Sequence, residues 1–446
     1  MTNCHSVFLM LIYGRINLNG FNKMKKFVSI ILFFIFITPV VAYSEVVHVS
    51  LDEAVSLALE KNLDIKSKRK KAEELEQDIK IANALKNPQF QSNFLMGKVT
   101  RGNSSQFGLA VPVEVAKRGI RKKVAQINLK IAQDEIRAAE HDLKIRVMRA
   151  YFNILYMKSV VYILREREKL FRNMKTIADN HEQYELHTGI DILQNDMKYK
   201  KQLVLLNKAK ANLLGAQFAL NDVMNIEGSK VMYDTVETSL FSKDLTILNI
   251  NIPQYQVIED TAMEYSYALS IAEQNIERRS AEVSQAKRKR IPDVTIAGGY
   301  AYQTAHQTRA AALPGAFVGV GFDIPILYSY TPDVRKAKIT LNRAEIDKAS
   351  FENHLKFALK QDYNDFKYAK ENIEHYKLII QESSDVLDNY KKRYEKGQVM
   401  LLHLLQVETA HQENVREYIN AVQVFYDAYL SLMQNVGHDI LLENEM

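Results

Sequence analysis

The chain has 446 residues, of which 25% are charged, with only 8 Pro and 16 Gly. It is long enough for two or three ordinary domains, but so little Pro and Gly favours long helices over many short elements. The formal charge of +6 is spread along the chain, with no basic stripe and interleaved aromatics, which argues against nucleic-acid binding. The sole cysteine, Cys4, leaves no disulfide framework and no thiolate metal site.

Lys25 and Lys26 precede the apolar run Phe27 to Val41, and the small residues Ala42 and Ser44 lead into polar sequence. This is the anatomy of a secretory signal peptide over 24–44, with 1–23 as an upstream extension. The run is short for a stable membrane span. Export is therefore expected, with a mature chain that contains no thiol.

Leu51 to Leu85 reads as one amphipathic helix ended by Asn87-Pro88. Alternating pieces follow on either side of the turn Gly102-Asn103-Ser104-Ser105, predicting a β-hairpin over 89–115. Then comes an uninterrupted helical stretch, 121–187. Its apolar residues Leu143, Val147, Ala150, Ile154, Val161 and Leu164 keep mostly three-four spacing, a coiled-coil period. Its 67 residues would extend roughly 100 Å. A return helix is expected over 190–224 and an irregular connector over 228–253.

The order then repeats. A shift of 204 residues lays the forty residues from Leu51 over Tyr255–Val294 without a gap and brings Pro88 onto Pro292. The second unit predicts a helix, a hairpin over 293–326, a long helix over 334–396 and a return helix over 400–436. This reads as internal duplication, with repeats over 45–227 and 254–441. Each long helix matches two short ones in length, so the economical packing sets one long helix beside two short helices stacked end to end.

The strand pieces, of roughly 8 to 12 residues, are long enough to cross a bilayer when tilted. Four strands cannot close a barrel, and lipid tolerates no open edge. Several copies would have to share one barrel: twelve strands from a trimer, eight from a dimer. The alternative is a small soluble β-domain on a coiled-coil stalk, as in a periplasmic adaptor or structural coiled-coil protein without a pore.

Local signatures accompany this order: Leu51-Asp52-Glu53-Ala54-Val55 with Ala58-Leu59-Glu60-Lys61-Asn62; the strand entries Asn87-Pro88 and Ile291-Pro292-Asp293-Val294; the exits Val111-Pro112 and Ile324-Pro325; and the tip segments ending at Gly189 and Gly397, with Leu193-Gln194 and Leu405-Gln406 beyond. On these the chain resembles the TolC-like outer membrane efflux protein family over about Val49 to Leu441. Val113-Glu114-Val115-Ala116-Lys117-Arg118-Gly119, with Arg121 following, is similar to its heavy-metal cation efflux branch. The N-terminal lipidated Cys of many members is absent.

The resemblance implies a mixed α/β membrane protein. A homotrimer would form a twelve-stranded transmembrane β-barrel in the outer membrane, continued by a helical coiled-coil tunnel across the periplasm. Its partners would be a periplasmic adaptor and an inner-membrane pump, of the RND type in the first instance. Substrate would pass without chemistry. The outer channel of a type I secretion system is the alternative within the same resemblance.

Lumen candidates are Thr295, Gly299, Gly319, Gly321 and Asp323, with Val318, Val320, Phe322 and Ile324 on the opposite face. Gate candidates at the far tip are Asp191, Gln194, Asp196, Arg393, Glu395, Lys396 and Glu408, whose polar contacts could exchange for water on opening. An acidic ring from Asp191 or Asp196 would favour cations. Gly189 and Gly397 would let the helices reverse, by adopting left-handed or otherwise unfavourable backbone angles, and would mark the adaptor docking surface. No enzyme and no cofactor are expected. The histidines, including His181 and His187 beside the tip, are scattered without metal-ligand spacing, and Gly319-Val320-Gly321 lacks the Lys-Ser/Thr of a phosphate loop.

Overall fold

The computed structural model describes residues 46–95, 104–181, 189–226, 231–240, 253–303, 313–396 and 398–437. The expected signal peptide and upstream extension lie outside these, as do 96–103 and 304–312; Ser104 and Ser105, expected in the first hairpin turn, and Pro314 and Gly315, expected in the second, are instead paired strand residues. The unit from Val46 onward is mostly helical with few strands. None of its described helices is long and apolar enough to cross a membrane.

Strand β1 (Val46–Val49) leads into α1 (Leu51–Lys61) and α2 (Leu63–Asn83). Strands β2 (Gln89–Leu95) and β3 (Ser104–Val113) precede the long helix α3 (Arg118–His181) and the return helix α4 (Gly189–Met224). Strand β4 (Met232–Thr235) sits in the connector. The same order then recurs as α5 (Tyr255–Tyr265), α6 (Tyr267–Arg288), β5 (Val294–Gln303), β6 (Leu313–Phe322), α7 (Thr331–Glu395) and α8 (Leu401–Val436).

The opening helix of each half, expected to be continuous, is two helices. Asn62 breaks the first. It leaves helical geometry and caps α2, its side-chain oxygen accepting from the N–H groups of Asp64 (2.8 Å) and Ile65 (3.1 Å). Ser266, 204 residues on, caps α6 in the same way. The broken ends meet the return helices. Asn62 Nδ2 donates to the last carbonyls of α4, and α8 ends on Gly437 (φ +79°), where a Cβ would sit 2.9 Å from the Tyr265 carbonyl oxygen. Here glycine is required by both backbone angle and space.

The long helices differ slightly from expectation. α3 begins at Arg118, and α7 begins at Thr331 with Pro332 inside its first turn, where its missing N–H costs no hydrogen bond. Gly189 is the first residue of α4 and so opens the return helix. Gly397 lies outside the described residues.

Around its middle α3 is buried on more than one face. Leu143, Ile145, Val147, Tyr151, Phe152, Ile154 and Leu155 are all fully enclosed, against α1, α4, α8 and β4. A single stripe was expected; a second exists because the connector wraps the helix here. β1 pairs parallel with β4, Val46 with Met232 through Val49 with Thr235. Lys158 clamps that clasp, with Nζ 3.0 Å from Asp234 Oδ1 and donating to the Thr235 carbonyl at 2.9 Å. Tyr151 donates to the Val49 carbonyl and to Glu237, and burial together with that carboxylate pushes its hydroxyl pKa up.

Every layer has the same rank order. The sheet runs β2-β3-β5-β6. Beside it the helices run α2-α3-α6-α7, and toward the tip α4-α3-α8-α7. One side of the chain is thus edged by β2, α2 and α4, and the other by β6 and α7.

Candidate functional site: an open strand wall and a polar coiled-coil tip

All four long strands are antiparallel neighbours, β2 with β3, β3 with β5 and β5 with β6. Registry fixes two faces. Phe90, Phe94, Phe107, Leu109, Val111, Ile296, Tyr300, Val318, Val320 and Phe322 share one, and all are exposed, Val318 at 82%. The other carries Gln91, Asn93, Gln106, Gly108, Ala110, Thr295, Ala297, Gly299, Gly315, Gly319 and Gly321. Period-two alternation sorted these residues in the sequence, and the pairing sets them in rows: Thr295 beside Gly321, and Ala297 beside Gly319.

Four lumen candidates therefore lie together on the small, polar face. Asp323 follows one residue past the end of β6, exposed. Phe317 is the exception on that face. Its row holds Gly299 and Gly108, and a Cβ on either would meet the Phe317 ring at 2.8–2.9 Å. The two glycines make room for the ring to lie against the wall.

At the helix side of the sheet, two buried carboxylates tie strands to helices. Glu114 contacts Arg121 (3.0 Å) and Lys86 (3.4 Å), while Asp293 contacts Lys117 (3.1 Å) and Lys86 (3.7 Å). Arg121 also donates to the carbonyls of Ala82 (2.9 Å) and Ala84 (3.2 Å), satisfying the end of α2. The sequence displayed Glu114, Lys117 and Arg121 as a run without showing this role, because Lys86 and Asp293 come from other elements.

Toward the tip the gate candidates are dispersed. Asp191 and Gln194 lie in α4 and Glu395 in the last turn of α7, with side chains outside the described set. Asp196 pairs with Lys200 on its own helix at 2.7 Å, while Arg393 and Lys396 are exposed. Glu408 is half-buried, and burial raises its carboxyl pKa against the pull of Lys391. Near it, His411 shares a 2.8 Å hydrogen bond with Ser383, and burial lowers its pKa. Among the described side chains no gate candidate contacts another.

A polar seam between α3 and α8 was not foreseen. Arg167 reaches Glu413 at 3.5 Å, Arg416 binds Glu413 and Glu417, and Tyr156 donates to Asn420 at 2.6 Å. Its members are ordinary charged helix residues until the two helices are set side by side. Among the described residues no group of side chains is placed to hold a metal ion.

Residues 260–438 match the family model of outer membrane efflux proteins. No curated protein sequence matches the chain. Solved structures share its fold, among them three channels. The CmeC outer membrane channel of Campylobacter jejuni is 15% identical at a TM-score of 0.72, over 89% of this chain and 88% of that one. A structure of CusC, titled for its transmembrane channel formation, is 14% identical at 0.69, over 88% and 93%. The open-state MtrE outer membrane channel of Neisseria gonorrhoeae is 14% identical at 0.68, over 87% and 88%. The second half of the chain is thus similar in sequence to outer membrane efflux proteins, and nearly its whole length shares the fold of solved outer membrane channels.

Proposed function

We propose that this protein is the outer membrane channel of a tripartite efflux system. Three copies close into a twelve-stranded barrel, and the duplicated helical units continue it as a periplasmic tunnel. A periplasmic adaptor and an inner-membrane pump, RND-type first, deliver substrate, heavy-metal cations or drugs, which passes through without reaction. One observation carries this reading: a four-stranded sheet with an exposed apolar face, a partly buried small-polar face and, among the described residues, two unpaired edges. A water-soluble β-domain would bury one face against a core; here lipid suits the first, water the second and neighbouring copies the edges. A ten-residue strand, β5 or β6, spans about 33 Å, or roughly 24 Å when tilted, matching the apolar band of such barrels.

The test is purification from outer membranes followed by planar-bilayer recording. A detergent-stable trimer with ohmic conductance is expected; a monodisperse soluble monomer with no conductance would sink the assignment. Under the same reading the tip charges hold the resting channel shut. Neutralising Asp191, Asp196 and Glu408, or reversing Arg393, raises single-channel conductance several-fold. Unchanged conductance would leave them as surface charge.

A further inference from the structure

The two edges of the protomer carry opposite patterns of charge. On α2 the face turned away from the buried Ile65 follows three-four spacing: Leu63, Ser67, Lys70, Glu74, Gln77 and Ile81. On α7 the face away from the buried Val334 does the same: Lys336, Ile339, Arg343, Ile346 and Ser350. Such spacing is that of a coiled-coil stripe, and both stripes lack a helix to pack on within the protomer. Ile81 is 67% exposed, and Ile339 and Ile346 are each 63% exposed.

Charge divides each edge into two blocks. From the sheet end, α2 is first acidic (Glu73, Glu74, Glu76 and Asp78, against Lys80) and then basic (Lys66, Lys68 and Lys70). α7 is first basic (Arg335, Lys336 and Lys338) and then acidic (Glu345 and Asp347, against Arg343). α2 ends and α7 begins beside the sheet, so rise per residue sets their levels. The acidic block of α2 lies about 8–15 Å from that end and the basic block of α7 about 6–11 Å. Lys66 to Lys70 lie about 20–26 Å away, and Glu345 and Asp347 about 21–24 Å. Lys70 and Glu73 pair with each other, and Arg343 with Asp347. Lys66, Lys68, Glu74, Glu76, Asp78, Arg335, Lys336, Lys338 and Glu345 contact no opposite charge among the described residues.

We infer that the α2 edge of one copy docks antiparallel on the α7 edge of the next, with the two charge blocks in register as the key by which this chain selects itself as partner. The inference rests on the ring proposed above and adds what sets its seam. Since edges β2-α2-α4 and β6-α7 differ, the contact is head-to-tail and closes only as a ring. Complementary blocks favour that pairing and penalise any offset that would juxtapose like charges.

The experiment is paired charge reversal, read as oligomeric mass in detergent at low and high salt, with helical content by circular dichroism as the folding control. Glu74→Lys/Glu76→Lys/Asp78→Lys lowers the trimer fraction at least tenfold, as does Arg335→Glu/Lys336→Glu/Lys338→Glu. The two sets together restore it. If either single set stays fully trimeric, or the combined variant stays as dissociated as the single ones, the key is refuted while the ring stands. A wild-type chain that never trimerises refutes the ring itself. If the α7 set stays trimeric and loses only binding to phosphatidylglycerol vesicles, its basic block belongs to lipid and the inference is overturned.

Discussion

The side-chain amide of Asn62 donates to the carbonyl oxygen of Met224 at 2.9 Å and to that of Val223 at 3.2 Å, while its oxygen caps α2. One fully buried side chain therefore satisfies both a helix start and a helix end at the joint where two short helices meet alongside α3. Asn62→Ala removes the cap and strands two carbonyls. A loss of about 2–3 kcal/mol is expected in denaturant melts. Asn62→Ser, the residue at the equivalent joint of the second half, retains the cap and costs less. Equal losses for the two variants would deny the double role.

Lys158 is the buried cation of the connector clasp, 13% exposed, facing an Asp234 side chain that is 10% exposed. Lys158→Met takes the lysine from that carboxylate, leaving it the Thr235 N–H at 2.8 Å and His48 at 3.8 Å, and is expected to cost about 3 kcal/mol, whereas Lys158→Met with Asp234→Asn costs less than the single change. Thermal melts of the wild type and the two variants measure the difference, and limited proteolysis should cut first within 231–240.

Gly299 permits the closest approach in the sheet, since a Cβ there would fall 2.1 Å from the Phe107 carbonyl oxygen and 2.6 Å from the Gly108 Cα. Gly299→Val is therefore expected to break β3–β5 pairing and abolish assembly into membranes. Gly319→Ala, where a Cβ meets only the Ala297 methyl at 3.9 Å, should assemble normally. Heat-resistant oligomer on gels separates the two outcomes.

His411 has its pKa lowered by burial and by Lys391, with Asp388 opposing. A depressed folded pKa means that the unfolded chain takes up the proton more readily, so stability is full above the ordinary histidine value near 6.5 and falls as pH drops through it. Glu408 has the opposite sign: its raised pKa makes the ionised form the costly one, and acid relieves that cost. Comparing wild type with His411→Gln between pH 7.5 and 5 isolates the first effect. The wild type should lose stability relative to the variant on acidification, and parallel curves would remove His411 from the account.

Helix and strand types were legible because period fixes them: three-four spacing for α3 and α7, strict alternation for β3, β5 and β6. The break at Asn62 was hidden because the apolar spacing runs through it, and only contact with α4, 160 residues on, reveals why an asparagine stands there. The clasp of β1 with β4 was missed for a related reason. Four residues such as Val46–Val49 carry too short a pattern to announce a strand, and their partner is far away in sequence. In the candidate site, faces could be read from alternation, so Thr295, Gly299, Gly319 and Gly321 came out together. Pairs such as Arg167 with Glu413 could not, since helical charge is common everywhere and only the α3–α8 crossing selects these two.

The matching rank of strands and helices from layer to layer has a consequence for inheritance of defects. In the proposed ring each polypeptide is a complete stave, reaching from the outer loops to the periplasmic end without trading places with its neighbours. A single faulty stave leaves a full-length gap that the others cannot patch. Co-producing a copy impaired on one flank only, in equal amount, should therefore leave only about one eighth of rings wholly intact if recruitment were random, a genetic dominance that an exporter built from self-sufficient monomers would never show.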